Sequence, residues 1–320
     1  MCGIAGLIER SGAPASILEE RGRAMARALV HRGPDGSGVW SDAEAGVALS
    51  HRRLAIIDLT AAGAQPMVSA DGRWVISYNG EIYNAGDIAR GPDLSGVNFR
   101  GTSDTEVILE SVARRGLDRT LDDLNGMYAL ALWDRQTRTL HLVRDRIGVK
   151  PLFYSAQGSS LCFASELKAL TAGGGIRRDI DSGSVASFLR FGYVPAPWSI
   201  FKDVAKVMPG ELVSFGPDGQ VRRRYYWSLS QVASDGSRNR LDLSDDQAEA
   251  ELAALLSDAV SRQMISDVPL GAFLSGGIDS STIVALMVAA ARGPVRSFSI
   301  GFPDFGYDES HYAAAVARHL

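Results

Sequence analysis

The feature that most limits the possible folds is a glycine-rich turn between a buried strand and a helix. Residues 267–274 have the apolar pattern of a buried strand, with Pro269 near its start. The turn that follows reads SGGIDSST at residues 275–282, and a helix is predicted over residues 281–291. Backbone N–H groups in such a turn, together with the helix N-terminus, can cradle phosphate groups. The pattern predicts an α/β unit that binds a nucleotide.

The same turn argues against one class of nucleotide-binding protein. A Walker A motif needs a lysine after its last glycine, and none follows Gly277. We therefore expect a site for a pyrophosphate leaving group, with Asp279 near a Mg²⁺ ion. The alternative is a plain strand-to-helix turn. Hydroxyl side chains at four of the eight positions, with an acid between them, favour the phosphate site.

A second constraint lies at the other end of the chain, where Cys2 directly follows Met1. If Met1 is removed, one residue carries both a thiol and a free α-amine. The amine has a reference pKa of about 8, so it can accept the thiol proton and activate the sulfur as a nucleophile. The alternative is that Cys2 is a small apolar residue that opens a strand over residues 4–8, and its position alone leaves both interpretations open.

Composition excludes several other classes of protein. The chain has 320 residues, 46% of them hydrophobic and 22% charged, which is typical of globular proteins and leaves room for two domains. A net charge of −4 argues against a protein that binds nucleic-acid backbones. We see no secretory signal and no membrane-spanning run, and expect a cytoplasmic protein. Two cysteines cannot form a disulfide framework, and Cys162 is expected to be inert packing.

Short apolar segments separated by turns dominate the first two thirds of the chain. Many short strands with two early helices, at residues 15–30 and 107–114, predict stacked sheets covered by helices. The strands are predicted at residues 4–8, 47–50, 54–58, 75–78, 121–133, 139–143, 212–215 and 221–226.

The composition changes at residues 228–244, which are rich in polar residues and are interpreted as a linker. Ser244 is expected to cap a helix over residues 247–264. After the phosphate-binding turn come a strand over residues 295–302 and a helix over residues 311–320. Two strand–helix units cannot close a doubly wound sheet. We expect this domain to be cut short, because the sequence is a fragment or because a separate chain completes it.

Several polar residues of the first part have both a structural and a functional interpretation. Arg53 could clamp a carboxylate with two hydrogen bonds, or be an ordinary surface arginine. His51 is assigned to structure, as is the turn of residues 31–35 with its His and Arg.

Asn79-Gly80 is a strong signal for a type I′ hairpin turn. It could equally aim a side-chain amide and a backbone N–H at one point, as an oxyanion hole requires. Glu81 beside it could bind an ammonium group. Asp104 could cap a helix or bind an amine with its carboxylate.

Seven short motifs occur in a specific order along the chain. They are CGIAG at residues 2–6, HRGPD at 31–35, RL at 53–54, NGEIYN at 79–84, SD at 103–104, RDRIG at 144–148 and SGGIDS at 275–280. Each motif is modest, but the ordered set is specific and spans the chain. It resembles the glutamine-hydrolysing asparagine synthetases of the bacterial B type.

The resemblance implies an α+β N-terminal-nucleophile fold, an αββα sandwich, for a class II glutamine amidotransferase domain over residues 2–227. A linker over residues 228–244 would join it to the start of an α/β PP-loop ATP pyrophosphatase domain, of the adenine nucleotide α-hydrolase type, over residues 245–320. The implied partners are glutamine, aspartate and ATP, with a homodimer as a candidate assembly and neither nucleic acid nor membrane expected.

The resemblance also implies roles for individual residues. Cys2 would attack the glutamine amide, and Asn79 and Gly80 would stabilise the oxyanion. Arg53 would bind the α-carboxylate of glutamine, and Glu81 and Asp104 its α-ammonium group. The same pocket would be lined by Leu54, Ala55, Ile56 and Ile57.

In the implied second reaction, ATP and aspartate form β-aspartyl-AMP, and ammonia that arrives through an internal tunnel displaces AMP. Mg²⁺ would lie near Asp279. The family has a further glycine- and acid-rich loop that would lie beyond Leu320, so nothing in this sequence shows synthetase competence. The implied ATP-binding residues are Leu274, Ser275, Gly276, Gly277, Asp279, Ser280 and Ile300.

Three alternatives remain at this point. A relative with the same two domains could amidate another acid, such as a sugar acid, or close a lactam. An aminosugar synthase would share the first domain, but the turn at residues 275–280 argues against it. A catalytically dead scaffold is disfavoured because Cys2 and all its implied partners are present together.

Overall fold

A computed structural model describes residues 1–10, 12–302 and 308–320 of the chain. The chain forms two compact units, Met1–Ser237 and Arg238–Leu320. Among the described residues, no helix is both long enough and apolar enough to cross a membrane.

The first unit contains two six-stranded antiparallel sheets. One has the strand order β10-β8-β9-β1-β3-β2 and the other β12-β11-β7-β6-β5-β4. The strands are β1 (Gly3–Ile8), β2 (Gly36–Asp42), β3 (Val47–Arg53), β4 (Met67–Val68), β5 (Trp74–Ile82), β6 (Gly126–Asp134), β7 (Thr139–Arg144), β8 (Phe153–Gln157), β9 (Ser160–Ala164), β10 (Ala205–Lys206), β11 (Glu211–Phe215) and β12 (Val221–Tyr225). The helices are α1 (Ala15–Ala28), α2 (Ala85–Arg90), α3 (Asp104–Arg115), α4 (Leu117–Asp123), α5 (Leu167–Ala172), α6 (Ser182–Phe191) and α7 (Leu229–Arg238).

The layers follow from where the apolar side chains point. A core that includes Leu49, Trp133 and Phe163 fills the space between the two sheets. On the outer face of the first sheet, α1 and α5 bury a second core, and on the outer face of the other sheet α3 and α4 bury a third. The order of layers is therefore helix, sheet, sheet, helix. This confirms the predicted αββα fold class.

The N-terminal strand β1 lies in the middle of its sheet, and all six of its residues are buried. It pairs with β3 on one side and with β9 on the other, so that Ala5 lies opposite both Ser50 and Ala164. A chain end usually frays, but here the sheet holds it from both sides. Cys2 is consequently presented at a rigid position.

One of the two interpretations left open for Asn79-Gly80 was wrong, and so was one strand prediction. Asn79-Gly80 does not form a hairpin turn but lies within β5, paired with Ala129 and Tyr128 of β6. Nine consecutive pairs between these strands outweigh the local preference of Asn-Gly for a turn. Residues 54–58 form no strand, because side chains take the backbone N–H groups of Leu54 and Ala55.

A third prediction was partly wrong, since residues 121–123 belong to α4 and not to the strand β6. Leu117, Thr120 and Leu121 are buried at helical spacing on one side of α4, and this period of 3.6 residues decides the structure.

The second unit is smaller and contains α8 (Asp245–Arg262), β13 (Gly271–Phe273), α9 (Ile278–Ala290), β14 (Arg296–Phe298) and α10 (Ser310–His319). β13 and β14 pair in parallel, and Leu274, Val284 and Ala313 form a small core. Both strands are shorter than predicted, since only three residues of each find a partner in this two-stranded sheet. Ser244 caps α8 in a capping box, as predicted. The segment predicted as a linker contains α7.

Candidate functional site

A cavity of about 740 Å³, counting the solvent at its mouth, lies in the first unit. It collects side chains from the N-terminus, the end of β3, the end of β5, the start of α3 and the segment after β7. Predicted residues on its wall are Cys2, Arg53, Leu54, Ile56, Ile57, Asn79, Gly80, Glu81 and Asp104. Further wall residues are Met1, Gly63, Gln65, Tyr78, Ser103, Thr105, Met127 and Lys150.

The Cys2 thiol is half-buried on the cavity wall. Its Sγ lies 3.4 Å from the backbone nitrogen of Leu54, which donates to it, and 3.6 Å from the Leu54 carbonyl oxygen. Burial raises the pKa of this thiol, although the Leu54 N–H bond opposes the shift. The N-terminal amine, which here belongs to Met1, has a pKa lowered by burial. Both shifts favour the uncharged forms, so the site at rest holds a protonated thiol and an amine with a larger unprotonated fraction.

The backbone of Cys2 is held by a charged cluster behind the cavity. Arg32 donates from Nε to the Cys2 carbonyl at 2.9 Å and from Nη1 to Glu166 at 2.9 Å. Glu166 also accepts from His31 at 3.0 Å and forms an ion pair with Lys168 at 3.2 Å. Hydrogen bonds from these groups lower the pKa of Glu166 to about 2, despite burial. His31 and Arg32 thus support the site from outside, consistent with the structural interpretation of this turn.

Asn79 brings its side-chain amide to the cavity wall. The residue is 1% exposed, and its Nδ2 is buried without a hydrogen bond among the described residues. An unpaired buried amide is costly, so its place on the cavity wall suits a ligand oxygen. Gly80 beside it has no room for a side chain, because a Cβ would lie 2.4 Å from the Met127 carbonyl oxygen.

Arg53 closes a tight turn with its guanidinium group. Nη1 donates to the Thr60 carbonyl at 2.8 Å, and Nη2 donates to the carbonyl of Asp58. The Asp58 carboxylate in turn accepts from the backbone of Thr60 at 3.1 Å and of Thr102 at 2.8 Å. The turn that holds Arg53 is therefore tied to the segment just before α3, which carries Asp104.

Two carboxylates lie close together on the cavity wall. Asp104 is buried at the first position of α3, where its Oδ2 accepts from the Tyr78 hydroxyl at 2.8 Å and from the Ile82 N–H at 3.0 Å. Burial raises the pKa of Asp104, although these bonds oppose the shift. Burial and the nearby charge of Asp104 also raise the pKa of Glu81. Such a pair attracts a cation into the cavity.

The glycine-rich turn of the second unit lies beside another cavity. Ser275 and Ser280 are joined by a hydrogen bond of 3.0 Å between their hydroxyls, and Gly276 has a φ of 85°. α9 begins at Ile278 after Gly277, with no side-chain cap. Four predicted residues line this cavity, namely Leu274, Ser275, Ser280 and Ile300. Three phenylalanines that were not predicted, Phe273, Phe298 and Phe302, line it as well.

The other predicted residues of this turn, Gly276, Gly277 and Asp279, do not line that cavity. Asp279 is exposed in the first turn of α9. Within residues 1–10, 12–302 and 308–320, no three His, Cys, Asp or Glu side chains are arranged to hold a metal ion.

The family of the chain follows from comparison with known proteins. A family model described as "Glutamine amidotransferase domain" matches residues 1–227. The chain belongs to the glutamine amidotransferase family. A second family model, described as "Asparagine synthase", matches residues 251–320.

The chain resembles several curated proteins along its whole length. It is 37% identical to asparagine synthetase [glutamine-hydrolyzing] 3 of Bacillus subtilis, over 99% of this chain and 50% of that protein. It is 36% identical to a putative asparagine synthetase 2 of Methanocaldococcus jannaschii, over 100% of this chain and 63% of that protein. It is 32% identical to asparagine synthetase B of Escherichia coli, over 100% of this chain and 52% of that protein.

These matches confirm the resemblance read from the motifs. The chain spans about half the length of most of these curated relatives. Among solved structures, the glutamine phosphoribosylpyrophosphate amidotransferase of B. subtilis has the same fold, with a TM-score of 0.51 at 19% identity. That similarity covers 95% of this chain and 67% of that chain.

One residue predicted for the cavity of the first unit lies off its wall. The backbone N–H of Ala55 donates to the Asp35 carboxylate at 2.9 Å, and Ala55 does not line the cavity. His51, assigned to structure, is 1% exposed and bonded to the Tyr78 carbonyl. Burial lowers the pKa of His51 to about 4, so it is neutral at neutral pH.

Sequence reasoning missed Gln65 and Lys150. Gln65 donates to the Thr105 hydroxyl at 3.1 Å and accepts from the Tyr78 N–H at 2.7 Å, so it joins β5 to α3. No local sequence signal marks it. Lys150 lies two residues after the RDRIG motif, and that position was a signal that could have found it.

Proposed function

We propose that this chain is the glutamine-hydrolysing part of an ATP-dependent asparagine synthetase, which acts on glutamine, aspartate and ATP. The observation that carries the proposal is the cavity, in which a thiol, an unpaired buried amide, a guanidinium group and two carboxylates line one space. A free amino acid carries an ammonium and a carboxylate, and the cavity offers groups of opposite charge for both.

Glutamine would bind with its α-carboxylate at Arg53 and its α-ammonium group at Glu81 and Asp104. The apolar side chains of Leu54, Ile56 and Ile57 would cover its methylene groups. The side-chain amide would then reach Cys2. Ala55 is left out of this set because its N–H group is already bonded to Asp35.

After removal of Met1, the α-amine of Cys2 would take the thiol proton, and the thiolate would attack the amide carbon of glutamine. Asn79 Nδ2 and the Gly80 N–H would stabilise the oxyanion of the tetrahedral intermediate. The protonated amine would return the proton to the leaving nitrogen, which departs as ammonia. Water would then cleave the thioester and release glutamate and the free thiol.

In the second unit, the turn at residues 275–280 would bind the pyrophosphate of ATP, and the phenylalanines beside Leu274 and Ile300 would contact the adenine. Aspartate would be activated there as β-aspartyl-AMP, and ammonia would displace AMP. Mg²⁺ often uses one or two protein carboxylates together with substrate phosphates, so Asp279 alone fits such an ion. Mg²⁺ would neutralise charge on the pyrophosphate. A cytoplasmic location and a homodimer are further predictions of this proposal.

The test is glutamate release from glutamine by the purified chain, with the intact mass measured on the same sample. We expect turnover by protein that has lost Met1, and no turnover by Cys2→Ala. Cys162→Ala is the matched control and should keep full activity, because Cys162 is buried outside the cavity and burial raises its pKa to about 11. Turnover by Cys2→Ala would refute the assignment of the nucleophile.

A further inference from the structure

The segment after β7 carries a motif, RDRIG, that the proposed chemistry does not use. Asp145 of this motif is fully buried, and its carboxylate accepts three backbone N–H groups. These come from Tyr128 at 3.2 Å, Val149 at 2.8 Å and Lys150 at 2.9 Å. One carboxylate therefore fixes the path of the chain up to Lys150.

Arg144 fixes the same segment from its carbonyl side. Its guanidinium group donates to the carbonyls of Lys150 at 2.7 Å, Gly148 at 2.7 Å and Val207 at 2.8 Å. The N–H and the C=O of Lys150 are thus both held by buried or half-buried charged groups. The motif thus fixes the backbone from which the Lys150 side chain reaches the cavity wall.

The Lys150 ammonium belongs to a mostly buried residue on the cavity wall. The residue is 5% exposed, and with the described residues its ammonium makes no hydrogen bond and no ion pair. Burial lowers its pKa, and Glu81 is the strongest influence in the opposite direction. The other charged groups that act on it are Arg32, Cys2, Asp145 and the N-terminal amine. Nearby anions stabilise an ammonium group in such a place, and of the two carboxylates on this cavity wall Glu81 is the one that acts on Lys150.

The Glu81 carboxylate, in turn, lies where burial disfavours its charged form. Its carboxylate forms no hydrogen bond with the described residues, and the neighbouring Ile82 N–H is bonded to Asp104. Burial and the Asp104 charge both favour the protonated form of Glu81, and Lys150 opposes them. A protonated Glu81 would lose the charge-assisted bond to an ammonium group.

We propose that Lys150 is a positioning residue that keeps Glu81 ionised, so that Glu81 binds the α-ammonium group of glutamine as a carboxylate. This inference rests on the proposed glutaminase function. Lys150 acts through Glu81 and does not touch the reacting atoms. Its effect therefore belongs to glutamine binding and depends on pH.

The test is the dissociation constant of glutamine, measured by calorimetry on the full chain in a Cys2→Ala background that prevents turnover. Lys150→Met should weaken binding about tenfold in acidic buffer, because loss of the Lys150 charge favours the protonated form of Glu81. The loss should shrink as the pH rises, because Glu81 then ionises without help from Lys150. Lys150→Arg should retain binding, and Lys202→Met, which changes an exposed lysine outside the cavity, should have no effect.

A double-mutant cycle separates this role from a structural one. In a Glu81→Gln background, Lys150→Met should cause no further loss. Equal weakening at every pH, or additive losses in the cycle, would overturn the inference. Lys150→Gln, checked by thermal melting, serves if the methionine variant does not fold. If the native chain neither binds nor hydrolyses glutamine, the proposed function fails; if it does both and the pH dependence is absent, only the role of Lys150 fails.

Discussion

The cavity of the first unit and the glycine-rich turn of the second are built in opposite ways. The cavity takes Cys2, Arg53, Asn79 and Asp104 from four distant stretches of the chain, and side-chain hydrogen bonds hold three of them, Cys2, Arg53 and Asp104. The turn takes its groups from residues 275–280, and its hydrogen bonds join members of the same short stretch.

This difference determines which structural changes disrupt each site. A site assembled from distant stretches fails when any supporting strand moves, because displacement of a catalytic group by about 1 Å can cost about 100-fold in rate. A turn closed on itself depends mainly on its own backbone conformation and on the helix that packs behind it. Substitutions at matched glycines in the two units test this contrast.

The largest effect is expected for Gly80→Ala in β5. The new Cβ would lie 2.4 Å from the Met127 carbonyl oxygen and 2.7 Å from Cβ of Tyr128, so β5 must move away from β6. We expect the free energy of unfolding to fall by about 3 kcal/mol. Glutamine hydrolysis should fall by about 100-fold, because Asn79 and Glu81 move with the strand. Denaturant unfolding and glutamate release measure the two effects.

The matched control is Gly236→Ala in α7, where a Cβ meets nothing within 4 Å. An alanine there should leave hydrolysis unchanged and raise stability by about 0.5 kcal/mol, since alanine favours the helix. Equal activities of the two variants would show that the cavity tolerates movement of β5, and that its groups do not depend on the positions of the supporting strands.

A smaller effect, confined to the second unit, is expected for Gly276→Ala. Gly276 has a left-handed φ of 85°, and a Cβ would lie 2.6 Å from Cβ of Tyr312 in α10. Strain and crowding should destabilise the second unit by about 2 kcal/mol. Hydrogen exchange of the α9 and α10 amides should accelerate while glutamine hydrolysis stays unchanged. Gly293→Ala, at an open position, is the control, and a loss of hydrolysis in Gly276→Ala would mean that the two sites are not independent.

The smallest effect concerns the charged cluster behind Cys2. The pKa of Glu166 in the folded chain is about 2, below its ordinary value of 4.5, because Arg32, His31 and Lys168 donate to it. A lowered carboxylate pKa adds stability above pH 4.5, and this contribution disappears as the pH falls towards about 2. Glu166→Gln should therefore cost about 1 kcal/mol at neutral pH, since the cluster is partly solvated.

Unfolding curves of the wild-type chain and of Glu166→Gln should differ at neutral pH and converge in acid. A difference that persists at the acidic limit would assign the stabilisation to packing and not to charge.

Which residues could be predicted depended on how local their signals are. Ser244 caps α8 as predicted, because a cap is a property of four consecutive residues. Asn79-Gly80 was ambiguous, since the same dipeptide suits a turn and an oxyanion site, and only its pairing with β6 resolves the ambiguity. Gln65 carried no signal, because its role is to connect Tyr78 and Thr105 from a distant loop.

The sequence by itself determined the layered fold class and the resemblance to asparagine synthetases, and through that resemblance it predicted nine residues that lie on the cavity wall. Those conclusions rest on periodicity and on ordered motifs, which are properties of neighbours along the chain. Only the tertiary structure decided that Asn79 has an unpaired amide, that Arg53 is tied to the segment before Asp104 and that Lys150 lies on the same wall as Glu81. Burial, desolvation and charge pairing depend on distances between residues far apart in sequence, and folding alone sets those distances.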